Sequence, residues 1–134
     1  LFVDTRDGNL IWEYSLPEPD HLHNTPESGQ KLGGGINSTP SISDDGKTIY
    51  FGTGNWLECN PCKADIYDDR LFALDVSGGE PKLKWILKGS EVDKVQNNFR
   101  LSIWSADTIA PDGNIYVSNF NGLLYQIAEN GETY

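Results

Sequence analysis

The chain has 134 residues, with 20 acidic against 10 basic side chains for a net charge of −10, two Cys and no Met. Leu, Ile, Val and Phe make up about a quarter of it, above the roughly 20% below which disorder is the expectation, so the chain folds. The acidic balance leaves nothing to neutralise phosphates, which excludes a nucleic-acid backbone as partner, and no apolar run approaches the ~20 residues that span a bilayer.

No stretch sustains the three-and-four spacing of an amphipathic helix, and the apolar runs are short and bounded by Gly, Pro, Asp and Asn, as strands are. In chain order, residues 1–14 carry Leu1-Phe2-Val3-Asp4, Gly8 and Leu10-Ile11-Trp12-Glu13-Tyr14, and are read as the last strand of a first unit. A polar, Pro- and Gly-rich connection runs from Leu16 to Ile36. Pro40-Ser41-Ile42-Ser43 then enters Asp44-Asp45-Gly46, and Thr48-Ile49-Tyr50-Phe51-Gly52 leaves it. After an insert over 55–69 come Leu71-Phe72-Ala73-Leu74-Asp75, a turn at Gly78-Gly79, and Leu83-Lys84-Trp85-Ile86-Leu87. A second insert, Lys88 to Leu101, precedes Asp107-Thr108-Ile109-Ala110, the turn Pro111-Asp112-Gly113, Asn114-Ile115-Tyr116-Val117-Ser118, and finally Leu123-Leu124-Tyr125-Gln126-Ile127 with Asn130-Gly131. Each Asp-Gly is expected to supply the positive-φ positions that a tight hairpin turn requires.

These runs repeat. Gly46 to Gly113 is 67 residues, Asp4 to Asp75 is 71 and Trp12 to Trp85 is 73. With the inserts removed, each unit is a four-stranded antiparallel meander. The repeat, in particular Ser-Thr-Pro-Ser-Ile-Ser-Asp-Asp-Gly-Lys-Thr-Ile-Tyr-Phe-Gly-Thr (38–53), Leu-Phe-Ala-Leu-Asp-Val-Ser-Gly-Gly (71–79) and Lys84-Trp85, resembles the pyrroloquinoline quinone-like (PQQ-like) repeat of β-propellers. That family holds quinoprotein dehydrogenases and non-catalytic members such as the outer-membrane assembly lipoprotein. The resemblance implies an all-β fold, a partial β-propeller of about two four-stranded antiparallel blades: residues 1–14 the last strand of one blade, 38–87 a full blade with a loop insert at 55–69, and 105–134 an incomplete next blade. Trp12 and Trp85 are expected to pack between blades, and Asp4 and Asp75 to accept backbone N–H groups at turns. A closed ring needs about four blades of ~40 residues. The strand count and the absence of Met are therefore read as a piece of a larger propeller, completed by its remaining blades or by further copies of itself.

Four residues carry candidate chemistry. Gly52-Thr53-Gly54-Asn55, followed by Trp56, stands at a strand end, and its resemblance to a stretch of quinoprotein alcohol dehydrogenases implies Asn55 as a calcium ligand and Asn55 with Trp56 as the cofactor-binding positions. The acids those enzymes place near Trp104 have no match, and Asp107 reads as part of its strand, so no catalytic base is assigned. Cys59 and Cys62, a Cys-x-x-Cys pair, read as a local disulfide tying a long loop in an oxidising compartment. A zinc site shared with His21 and His23, or intact thiols, are the competing readings. Asp65, Asp68 and Asp69 lack the spacing of a calcium loop and read as a solvated face, and Gly33-Gly34-Gly35 reads as a flexible joint. The function implied is a periplasmic or extracellular scaffold or binding module for protein or ligand, requiring no cofactor. The alternative is a PQQ- and calcium-dependent alcohol or sugar dehydrogenase.

Overall fold

The computed structural model describes residues 2–3, 7–16, 35–36, 38–54, 70–88, 108–118 and 122–132. They form ten strands and no helix: β1 (Phe2–Val3), β2 (Leu10–Trp12), β3 (Gly35–Ile36), β4 (Ser41–Ile42), β5 (Thr48–Gly54), β6 (Arg70–Asp75), β7 (Lys82–Lys88), β8 (Thr108–Ile109), β9 (Ile115–Ser118) and β10 (Leu124–Ile127). Every pairing is antiparallel. Among the described residues no helix is long and apolar enough to cross a membrane. The all-β expectation holds, but the strand count differs. Residues 1–14 contribute a hairpin of two strands, β1 and β2, where one strand was expected, and β3 precedes the expected start of the central sheet at residue 38.

The central sheet is a meander four strands wide. β5 lies between β6 and an edge made of β3 and β4, and β7 closes the far side. The edge is interrupted because pairing steps from Ile36 opposite Thr53 to Ser41 opposite Tyr50, leaving Asn37 to Pro40 against only Phe51 and Gly52. Pro40 has no N–H to offer a ladder. The Ser38 hydroxyl fills the gap, accepting the Gly52 N–H at 2.6 Å. The C-terminal sheet has the order β8-β9-β10.

Four turns share one construction. In Asp7-Gly8-Asn9, Asp45-Gly46-Lys47, Asp112-Gly113-Asn114 and Asn130-Gly131-Glu132, the first side chain's oxygen accepts the N–H two residues on, at 3.0 to 3.1 Å. The glycine alone takes positive φ, between 73° and 87°. This corrects the sequence expectation, since no described Asp or Asn turns left-handed. The carboxylate acts as an acceptor that organises the turn, while glycine removes the Cβ conflict. At Gly113 the Gly113 N–H bonds the Ala110 carbonyl and the Ala110 N–H bonds Asn114 O; Gly131 repeats this pair with Ala128 and Glu132. Both are three-residue loops with a bulged glycine. The Gly46 turn is one residue longer and uses Ser43 Oγ to take the Thr48 N–H at 2.9 Å.

Both faces of the central sheet are apolar, which is why β5 and β6 read as nearly continuous apolar runs rather than alternating ones. Tyr50, Leu71, Ala73 and Leu87, with Trp85, form one face and pack against Ile115, Val117 and Ile127 of the C-terminal sheet. Ile49, Phe51, Phe72, Leu74 and Ile86 form the other and pack against Tyr14 and Leu16. Phe51 and Phe72 oppose each other in register, with parallel rings 5.2 Å apart.

The registers expose the repeat directly. Ile49 opposes Leu74 and Phe51 opposes Phe72, just as Ile115 opposes Ile127 and Val117 opposes Tyr125. The β1–β2 hairpin reproduces β6–β7 down to its bulge: Phe2 opposite Trp12 and Val3 opposite Leu10 match Ala73 opposite Trp85 and Leu74 opposite Leu83. In each unit the Ile49-type face meets the Trp85-type face of the unit before it.

Candidate functional site

At the strand end that carries Gly52-Thr53-Gly54, the Thr53 side chain is buried and turned to the backbone. Its hydroxyl accepts the Arg70 N–H at 3.1 Å and donates to the Arg70 carbonyl at 3.3 Å. The backbone register of β5 with β6 stops at Gly52 opposite Leu71, so this hydroxyl stands in for the next rung. Asn55, Trp56, Cys59 and Cys62 lie outside the described residues, as do Asp4, His21, His23, Gly33, Gly34, Asp65, Asp68, Asp69, Trp104 and Asp107; Gly35 opens β3. Among the described residues no group of three or more His, Cys, Asp or Glu side chains comes together.

The acids that are described have structural work. Asp75 Oδ1 accepts the Ser77 N–H at 2.8 Å, as the sequence implied. Hydrogen bonds from Ser77, the side chain first and then the N–H, hold its carboxyl below the ordinary value. Asp45 is lowered by the Ser43 hydroxyl and then by the Lys47 N–H, and Asp112 by the Asn114 N–H and then its amide. A carboxylate held ionised by donors in this way is a poor proton acceptor at neutral pH.

Trp85 occupies the contact between the two sheets. Its Nε1–H donates to the Glu129 carbonyl at 2.8 Å, and its ring lies 5.9 Å from that of Tyr50. It also lies under the last turn, where a Cβ on Gly131 would come within 3.0 Å of Trp85 Cδ2. Beside it, Lys84 Nζ donates to Thr48 Oγ1 at 3.1 Å and lies 3.7 Å from Glu129 Oε1. The packing expected for this Trp, against a neighbouring unit, is what is found. An open groove of about 780 Å³ runs past these residues. Asp112, Asn114, Glu129 and Asn130 on its walls already have partners within the protein.

The more enclosed space is on the opposite face of the central sheet. A cleft of about 300 Å³ is walled by Trp12 and Tyr14 on one side and Ile36, Ile42, Ile49, Phe51 and Leu74 on the other. Its walls are almost wholly apolar, and Ile36 and Ile42 remain about half exposed, at 49% and 52%. Burial pushes the Tyr14 phenol above its ordinary pKa, so it stays neutral here. A cleft of this kind binds by removing apolar surface from water. It was missed in the sequence, where its only signals were the repeated Trp and the unbroken apolar runs of β5 and β6. No protein-family model and no curated protein matches the chain.

Proposed function

We propose that the chain is a stretch of PQQ-like β-propeller repeat that serves as a scaffold or binding module outside the cytoplasm. The observation that carries this reading is the repeat of register: three successive units share their pairing, their bulge and the face each presents to the next. Further units of the same kind, from the remaining blades or from other copies, would extend the stack. Supporting the non-catalytic role, the described acids serve turns, and the Thr53 hydroxyl is engaged by backbone. A disulfide between Cys59 and Cys62 would fit the extracytoplasmic setting.

The test is to add pyrroloquinoline quinone and calcium to the protein and follow quinone binding and alcohol-dependent dye reduction. The scaffold role predicts neither. Alcohol-dependent reduction lost on Asn55→Ala would replace it with the dehydrogenase alternative. Alkylation before and after reduction, read by mass, reports the cysteine pair.

A further inference from the structure

The apolar cleft has a filled counterpart in the same molecule. Ile115, Ile127 and Ile109 of the C-terminal sheet correspond by register to Ile49, Leu74 and Ile42. The first three pack against Trp85 and Leu87, and also against Tyr50 and Leu71 from β5 and β6. Around Ile49, Leu74 and Ile42 the Trp85 position is taken by Trp12, and Tyr14 lies two residues beyond it as Leu87 does beyond Trp85. The β6 position is taken by β1, which among the described residues pairs only with β2. The counterpart of β5 is the strand whose place coincides with the cleft. Ile109 is packed into the core where its equivalent, Ile42, is 52% exposed.

We infer that the cleft is a seat for an extended strand bearing a tyrosine, which pairs antiparallel with the free edge of β1 and sets its ring beside Trp12 as Tyr50 sits beside Trp85. The inference rests on the stacked-unit reading above. Backbone pairing supplies the attachment and the aromatic pocket the selectivity, as in other strand-addition sites. The ring has Ile49 and Leu74 beneath it and Trp12 at its side, an environment that favours an aromatic over an aliphatic side chain. The occupant is uncharged where it meets the pocket, because no described ionisable side chain lines the cleft except the neutral Tyr14 phenol.

The probe is a peptide with the sequence of residues 38–54, which carries the Tyr50-bearing hairpin. A backbone-cyclised version guards against a free hairpin too weakly formed to bind. Added to the whole chain, it should give saturable amide shifts at Trp12, Ile42 and Ile49. These should disappear when the peptide carries Tyr50→Ala, and when the protein carries Ile42→Lys at its exposed wall. Ile42→Ser serves if the lysine disturbs folding. No saturable shift with the cyclised peptide, or shifts that survive Tyr50→Ala, would overturn the inference. So would concentration-dependent shifts at the same residues without peptide, because a second copy would then be the occupant. The Trp85 indole N–H resonance separates the two readings. If it stays hydrogen-bonded while no peptide binds, only the seat is refuted; if it is solvent-exposed, the stacked-unit reading itself fails.

Discussion

Gly131→Ala tests how the two described sheets are joined. Gly131 has φ +87°, and a Cβ there would lie 3.0 Å from Trp85 Cδ2 and 3.3 Å from its Cγ. Holding an L-residue in a left-handed conformation costs roughly 1–2 kcal/mol. Forcing an extra carbon into a packed contact adds about 1–3 kcal/mol. The indole cannot retreat freely, because its Nε1–H is bonded to the Glu129 carbonyl, a bond whose loss costs about 0.5–1.5 kcal/mol. The variant should therefore lose about 2–4 kcal/mol, a fall in Tm of roughly 6–15 °C for a chain of this size. Gly46→Ala is the control: it has φ +73° and nothing within 4 Å of the added carbon, so only the backbone term of about 1–2 kcal/mol applies. Thermal unfolding followed by circular dichroism, with the Trp85 indole N–H read by NMR, measures both. Equal losses for the two variants, with the indole signal unmoved, would refute the Trp85 contact as a determinant of stacking. A smaller penalty for Gly131→Ala in a Trp85→Leu background would support it.

Three further outcomes follow from the same geometry. Thr53→Val removes the acceptor of the buried Arg70 N–H and should cost about 1–3 kcal/mol, with faster hydrogen exchange at the Arg70 amide; Thr53→Ser should retain most of the protection. Phe72→Ala, at a nearly fully buried position stacked on Phe51, should cost about 3–5 kcal/mol in urea unfolding, and a loss below 1 kcal/mol would show that the second face is not packed as described. The carboxyls of Asp45, Asp75 and Asp112 are lowered in the folded state, so the unfolded chain binds their protons first as pH falls. Their stabilisation is complete above the ordinary carboxylate pKa of about 4 and is lost as pH drops through the lowered folded values. Replacing all three by Asn keeps the acceptor oxygen, as Asn130 does in the fourth turn, and should flatten the acid limb of urea midpoints measured against pH. An unchanged limb would show that these turns do not govern acid unfolding.

Much of the fold was legible because its signals are local. Thr48 to Gly52 and Leu71 to Asp75 read as strands from their β-branched and aromatic content, and Gly46, Gly113 and Gly131 marked turns that the structure contains. The hairpin at residues 1–14 was undercounted because β1 is two residues long, too short for an alternation to register. The interrupted edge escaped for a different reason. Ser38 acts through a bond to Gly52, fourteen positions away, and nothing near Ser38 in the chain announces that partner. The candidate calcium and cofactor positions, Asn55 and Trp56, rested on the motif around them. Of that motif, Thr53 is seen to serve the strand end.

By itself the sequence determined the strand class, the turn positions and the existence of a repeat, since side-chain alternation and glycine's freedom at positive φ act within a few residues. Which faces meet was decided only by the tertiary structure. Trp85 finds the Glu129 turn forty-four residues on, Asp45 keeps an ordinary backbone while Gly46 alone turns left-handed, and the cleft beside Trp12 arises where Ile49 and Leu74 meet a hairpin from the start of the chain. Those outcomes depend on burial shared between distant segments, a quantity that no window of the sequence contains.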